Sequence, residues 1–188
     1  MYWVFGNLPE FIDMRGNKTS EAFVRGQSLG VVGPIETAKD LKGMVRHIYR
    51  LGYQKECMVT LAGYAAQSRV DDELCGKDWY DILVVNGEWA SDDDLTRAVS
   101  AATVFYGDNG NAWRFLKRMA SWTDEAFNHP QLWAGVESLA ERLQSVRTRI
   151  TGDRVFDIMN KAWPNTTLPY WNMGKKWRRR FRMPSPKS

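Results

Sequence analysis

Cysteine, histidine and long apolar runs are scarce in this chain of 188 residues. Cys57 and Cys75 are its two cysteines, too few for a disulfide framework, and reduced thiols that pack are the ordinary reading. The two histidines, His47 and His129, lie too far apart in sequence for zinc-ligand spacing. No stretch approaches the roughly 18 consecutive apolar residues of a membrane-spanning helix. The phosphate-cradling G-x-x-x-x-G-K-S/T, the dinucleotide G-x-G-x-x-G, the nucleophile elbow G-x-S-x-G and the metalloprotease H-E-x-x-H are all missing. No catalytic residue, metal, cofactor or small-molecule substrate is therefore expected. The reduced thiols make an intracellular location the expectation, and residues 1–10 show neither a charged segment ahead of a long apolar one nor an amphipathic Arg- and Ser-rich stretch, so no import signal is read there.

Aromatic residues are plentiful: nine Trp, seven Tyr and eight Phe. Hydrophobic residues at 44% against charged residues at 26% make a globular balance and exclude a disordered chain. The net charge of +4 averages two unlike regions. Residues 1–170 hold 19 basic and 22 acidic side chains, a net of −3, whereas residues 171–188 hold seven basic and no acidic ones, a net of +7. The basicity belongs to the C-terminal end.

Helical periodicity dominates the rest. Ala38, Leu41, Met44, Val45, Ile48 and Leu51 share one face of a half-buried helix, which Gly52-Tyr53 should end. Ser91 before three aspartates starts another, with Leu95, Ala98, Val99, Ala102 and Phe105 inward and Gly107 as its stop. Asn128-His129-Pro130 opens a third, running through Leu132, Val136, Leu139, Leu143, Val146 and Ile150 to Gly152. Asp153 caps a last one, with Val155, Phe156, Ile158, Met159 and Ala162. Residues 57–62 and 80–86 are short apolar runs that read as strands when taken singly.

A search for repeats changes that reading. Shifting the chain by 38 lays Lys39-Asp40-Leu41 on Lys77-Asp78-Trp79, Met44 on Ile82 and Leu61 on Val99. Shifting by a further 37 lays Ile82 on Met119, Leu95 on Leu132 and Val99 on Val136, and one more lays Met119 on Phe156 and Trp122 on Met159. Each unit reads as helix, turn, helix. Phe23-Val24 would then fall in the second helix of a degenerate leading unit. The expected fold is all-α: stacked helical hairpins of 37–38 residues, a short α-solenoid with a basic C-terminal tail. The expected division is an N-terminal segment over 1–35, a repeat domain over 36–163 and a tail over 164–188. The alternative is an α+β domain whose small sheet contains 57–62 and 80–86.

Asp40-Leu-Lys-Gly-Met-Val-Arg-His-Ile-Tyr-Arg-Leu-Gly-Tyr, followed by a second helix with Leu61 and Ala65, resembles a unit of the organellar helical-hairpin repeat proteins. These are the octotricopeptide and heptatricopeptide groups and the repeats that precede RAP domains; the resemblance covers about 36–163. It implies an array that binds organellar RNA or is built into a mitochondrial ribosome, and hence the mitochondrial matrix.

Two features carry the expected binding. In the tail, Lys175, Lys176, Trp177, Arg178, Arg179, Arg180, Phe181 and Arg182 interleave cations with aromatics. Cations neutralise phosphates and release counterions, and the rings of Trp177 and Phe181 could stack on bases. In the repeats, Lys39, Lys77 and Arg114 share one position, Lys42, Lys117 and Arg154 another, with Tyr80 the exception, and Arg46 and Arg50 extend the column. Equivalent positions in a solenoid line one face, and a cationic line there would follow a phosphate backbone. Acidic runs at Asp71–Glu73 and Asp92–Asp94 read as a solvated loop and as helix N-terminal charges. The expected function is that of a non-catalytic RNA-binding structural subunit of a large ribonucleoprotein, touching rRNA phosphates through the tail and neighbouring protein subunits through the body. A protein-interaction or viral accessory subunit docking an acidic partner is the first alternative. A small metal-dependent nucleic-acid enzyme, with Asp78 and Asp81 flanking a strand, is the second.

Overall fold

A computed structural model describes residues 5, 9–14, 23–26, 42–74, 78–81, 93–107, 109–146, 148–164 and 175–181. Their order is β1 (Pro9–Asp13), β2 (Phe23–Gly26), α1 (Gly43–Val70), α2 (Asp93–Tyr106), α3 (Asn109–Phe127), α4 (Pro130–Val146), β3 (Arg149–Thr151), α5 (Gly152–Ala162) and α6 (Lys175–Phe181). Among the described residues the protein is mostly helical, as the periodicity requires, with one small sheet. Two compact units are present, one drawn from Met1–Gln27 with Ala126–Arg180, the other from Ser28–Glu125 with Phe181–Ser188.

In the second unit α1 runs unbroken for 28 residues. Leu51, Tyr53, Cys57, Met58, Leu61 and Ala65 are buried along it at helical spacing. The expected break at Gly52-Tyr53 does not occur: Gly52 is a buried mid-helix residue. A lone glycine costs a helix only about 1 kcal/mol, and the strongly packed segment after it outweighs that. Residues 57–62 are thus helical, which removes the strand alternative there. It also turns the first expected hairpin into one continuous helix. Residues 79–81 are helical as well, and 82–86 lie outside the described residues. The N-terminal turns of α1 depart from expectation in burial, since Met44, Val45 and Ile48 are exposed.

Helix α1 packs on α2, where Tyr53 meets Phe105 at 5.3 Å between ring centroids and the Cys57 thiol donates weakly to the Ala98 carbonyl at 3.9 Å. Gly107 ends α2 as expected. Its φ of +83° suits glycine, and its N–H reaches the Thr103 carbonyl at 2.9 Å.

In the first unit the sheet order is β2-β1-β3, both pairs antiparallel. Phe11 stands opposite Thr151, and Ile12 lies between Val24 and Ile150. Phe11, Ile12 and Ile150 are buried. Three expectations are corrected here. Phe23-Val24 belong to a strand, not to the helix of a leading unit; Ile150 is a strand residue, because α4 stops at Val146; and the fold is not purely helical. Gly152 is not a helix stop but the strand-to-helix junction. A Cβ built on it would lie 2.1 Å from the Pro9 carbonyl oxygen. Helix α5 packs against α4, with the Met159 thioether filling the space above Gly135. His129 supplies the carbonyl that accepts the Trp133 N–H, and its ring stacks on Trp163 at 4.4 Å, 7° from parallel.

Candidate nucleic-acid interface

The basic segment forms helix α6 rather than an extended tail. Trp177 and Phe181, one turn apart, share a face, and that face is buried: Trp177 is 2% exposed and Phe181 4%. Phe181 sets its edge against Trp122, with centroids 5.9 Å apart and planes at 78°, the T-shaped geometry that the ring quadrupoles favour. This corrects the expected stacking role. Rings enclosed by their own protein are not offered to bases, and they serve as anchors.

The cations of α6 lie elsewhere on the helix. Lys175, Lys176 and Arg179 are exposed. Arg180 is half-buried, its guanidinium 5.2 Å from the Trp177 ring centre, a cation–π contact. Arg178 is part of the helix backbone, its side chain outside the described set, and Arg182 lies outside the described residues. The result is a short amphipathic helix with an aromatic inner face and a cationic outer one.

The expected cationic column is not assembled in the same way. Lys39 and Lys77 lie outside the described residues. Lys42 is exposed at the N-cap of α1. Arg46 is half-buried, with its guanidinium 5.4 Å from the Phe105 ring centre, and Arg50 reaches His47 Nδ1 at 3.1 Å. Arg114 folds back on its own helix, donating to the Gly110 carbonyl and to Asn111 Oδ1. Arg154 sits 3.7 Å from the Asp157 carboxylate on α5.

Lys117 is the clearest departure. Its ammonium donates to Asp78 at 2.9 Å and to both oxygens of Asp81 at 3.1 and 2.9 Å. The hydrogen bonds to Asp78 and then Asp81 raise the Lys117 pKa, and the bond from Lys117 lowers that of Asp78. Two carboxylates surround this cation, so it is not presented as a positive point to a phosphate. The same contact bears on the enzyme alternative: an ammonium sits between the two carboxylates proposed to hold a divalent ion. Asp81 also lies on a helical turn, with Asp78 just ahead of it, and 82–86 lie outside the described residues.

Around this cluster the packing is polar but internally satisfied. The Trp79 indole N–H donates to both oxygens of Asp124, at 3.0 and 3.1 Å, and the Tyr80 hydroxyl donates to the Trp113 carbonyl at 3.2 Å. Burial raises the Asp124 carboxyl above its ordinary value against the lowering effect of the indole bond, and burial also raises the Tyr80 phenol. At the Cys57 thiol burial pushes the pKa up to about 12. Asp71 closes its own turn by accepting the Glu73 N–H at 2.9 Å. Asp124 is the residue that sequence patterning did not single out. Its role follows from a partner distant in the chain, the Trp79 indole, and no local signal marks it.

Elsewhere, an open groove beside α4 and α5 is lined by Ser138, Glu141, Arg142, Ser145, Ile158 and Lys161, a mixture of both charges. Among the described residues no helix is long and apolar enough to cross a membrane. Comparison with protein-family models, with curated proteins and with solved structures returns no match.

Proposed function

We propose that this chain is a non-catalytic RNA-binding subunit of a ribonucleoprotein particle, the mitochondrial ribosome being the particle that the helical-repeat resemblance names. It grips phosphates through the outer face of α6. The observation that carries this reading is the division of that helix. Trp177 and Phe181 anchor one side, while Lys175, Lys176 and Arg179 stand exposed on the other, in a stretch of 171–188 that contains no acidic residue. Anchoring lowers the entropic cost of presenting the cations, and phosphate contact releases counterions from the nucleic acid. A guanidinium adds planar, bidentate contact to phosphate oxygens. The repeat organisation belongs to the same proposal in reduced form: the succession of α3, α4 and α5 along the chain, at the spacing that lays Trp122 on Met159, is the stretch that supports it.

Deleting residues 175–182 is not a clean test, because it also removes two buried anchors. The suitable variant is K175E/K176E/R179E, which leaves Trp177 and Phe181 in place. Lysate containing the full chain is sedimented with and without RNase. The expected result is migration with a large RNase-sensitive particle, lost in the triple variant. Migration as a free monomer overturns the proposal. Migration with a particle that withstands RNase also overturns it, and puts an acidic protein partner in place of RNA.

A further inference from the structure

Helices α1, α2 and α3 meet at two ring contacts inside the second unit. Tyr53 of α1 lies 5.3 Å from Phe105 of α2 between centroids. Tyr106, the next residue, stacks on Phe115 of α3 at 4.3 Å, 21° from parallel. Arg50 stands one turn before Tyr53 and Arg118 one turn after Phe115, so each is the helical neighbour of a ring packed on the 105–106 step of α2. From this convergence we infer that Arg50, Arg118 and the Tyr106 hydroxyl form a binding site for a phosphate dianion, the charge state of inorganic phosphate and of a phosphomonoester. None of the three belongs to α6, so the site does not depend on the RNA-binding reading above.

Both arginines are exposed and, among the described residues, neither forms an ion pair. Arg50 donates to His47 Nδ1 at 3.1 Å, which leaves the rest of its fork open. Burial raises the Tyr106 phenol, while the Arg50 charge, a Gln54 hydrogen bond and the Arg118 charge lower it, so both guanidiniums act on the same oxygen. Carboxylates are missing from the helix segments that meet here: residues 41–55, 95–107 and 109–123 contain none, and Asp108 lies outside the described residues. Asp78 and Asp81, which fold onto α3, are taken up by Lys117. Unused polar groups adjoin Arg50 as well. A guanidinium only donates, so His47 Nδ1 is an acceptor and the proton of the neutral ring sits on Nε2, a buried atom without a hydrogen-bond partner among the described residues. Gln54, one turn after Arg50 and 9% exposed, has its Oε1 in the same condition. Such groups are few in folded proteins, and an oxyanion beside Arg50, with the water it carries, supplies partners for both. Two guanidiniums match the two charges of a phosphomonoester above its second pKa of about 6, and each planar fork suits a pair of phosphate oxygens.

The test is equilibrium dialysis of the full chain against radiolabelled inorganic phosphate, at about pH 7.5 and about 20 mM sodium chloride, where screening is weak. The expected result is saturable binding of one phosphate per chain, weakened at least about tenfold in R50Q and in R118Q, since each removes charge-assisted hydrogen bonds. R114Q, which alters an arginine bonded to its own helix, should bind as the parent does. All three positions are exposed, and far-ultraviolet circular dichroism checks that the variants fold. Absence of saturable binding overturns the inference. So does binding that survives in R50Q/R118Q, or that R114Q weakens equally. Oligouridine with hydroxyl groups at both ends carries phosphodiesters only, and it should fail to displace the bound phosphate at equal phosphate concentration. Displacement overturns the dianion assignment and gives the site to an RNA backbone.

Discussion

The Phe181 ring meets the Trp122 indole edge-on, 5.9 Å between centroids and 78° between planes. That contact makes the most basic part of the chain a structural element. Truncating a buried Phe to Ala removes apolar area and leaves a cavity, at a cost of about 3–5 kcal/mol. F181A should show that loss in urea unfolding, together with a change in Trp fluorescence. K175E/K176E/R179E, whose side chains are exposed, should unfold close to the parent midpoint. Equal stability of F181A and the parent would show that α6 is not docked.

Asp124 offers a test of pH dependence. Burial raises its folded-state carboxyl above the unfolded value, near 3.9. Its contribution therefore favours the fold fully below that unfolded value and is lost as pH rises through the folded one. D124N keeps an acceptor for the Trp79 indole N–H without a charge, so the parent should lose stability relative to D124N as pH is raised from about 4 towards neutrality. D124A strands a buried donor and should cost about 1–3 kcal/mol at neutral pH. Urea midpoints of the three proteins across that range decide it; an identical pH profile for parent and D124N would refute the assignment.

Cys57 should be inert. Its thiol is 1% exposed and its pKa is pushed up to about 12. At pH 8 that leaves roughly one molecule in ten thousand as the reactive thiolate, before access is considered. Peptide-resolved mass spectrometry after iodoacetamide treatment should find Cys57 unmodified in the native protein and alkylated in denaturant. Prompt native labelling would contradict the close packing of α1 on α2.

Two glycine substitutions should differ sharply. At Gly135 an added Cβ would approach the Met159 methyl at 2.8 Å, and a flexible thioether can shift. Since alanine also gains about 1 kcal/mol over glycine in a helix, G135A should be near neutral. At Gly152 the added Cβ would lie 2.1 Å from the Pro9 carbonyl oxygen, which belongs to a paired strand and cannot move alone. G152A should cost about 3 kcal/mol, at the upper end of overpacking penalties. Thermal unfolding of the two variants checks the contrast, and a G152A midpoint equal to the parent's would refute the close approach of α5 to β1.

Helices were readable because their determinants are local. Ala98 and Ala102 inward with a terminal Gly107, Pro130 opening α4, and Val155 with Met159 on one face of α5 all follow from contacts within a turn or two along the chain. The failures were of a different kind. At Gly52 a local stop signal was overridden by packing further along α1, because one glycine is a small penalty against several buried side chains. At Gly152 the same residue type read as a stop, whereas it answers to a close approach of Pro9.

By itself the sequence determined a mostly helical protein, the positions of most of its helices, and a cationic C-terminal end without acidic residues. Tertiary structure decided the rest. Strand β1 exists because Phe23–Gly26 and Arg149–Thr151 pair with it from far along the chain, and short strands carry little periodicity of their own. Lys117 lost its place in a cationic line because Asp78 and Asp81, 39 and 36 residues away, fold onto it. The rings of Trp177 and Phe181 look alike in sequence whether they face bases or a protein core. Only the folded chain, by bringing Trp122 to Phe181, separates the anchor from the charge, because burial is a property of what packs against a residue and not of the residue itself.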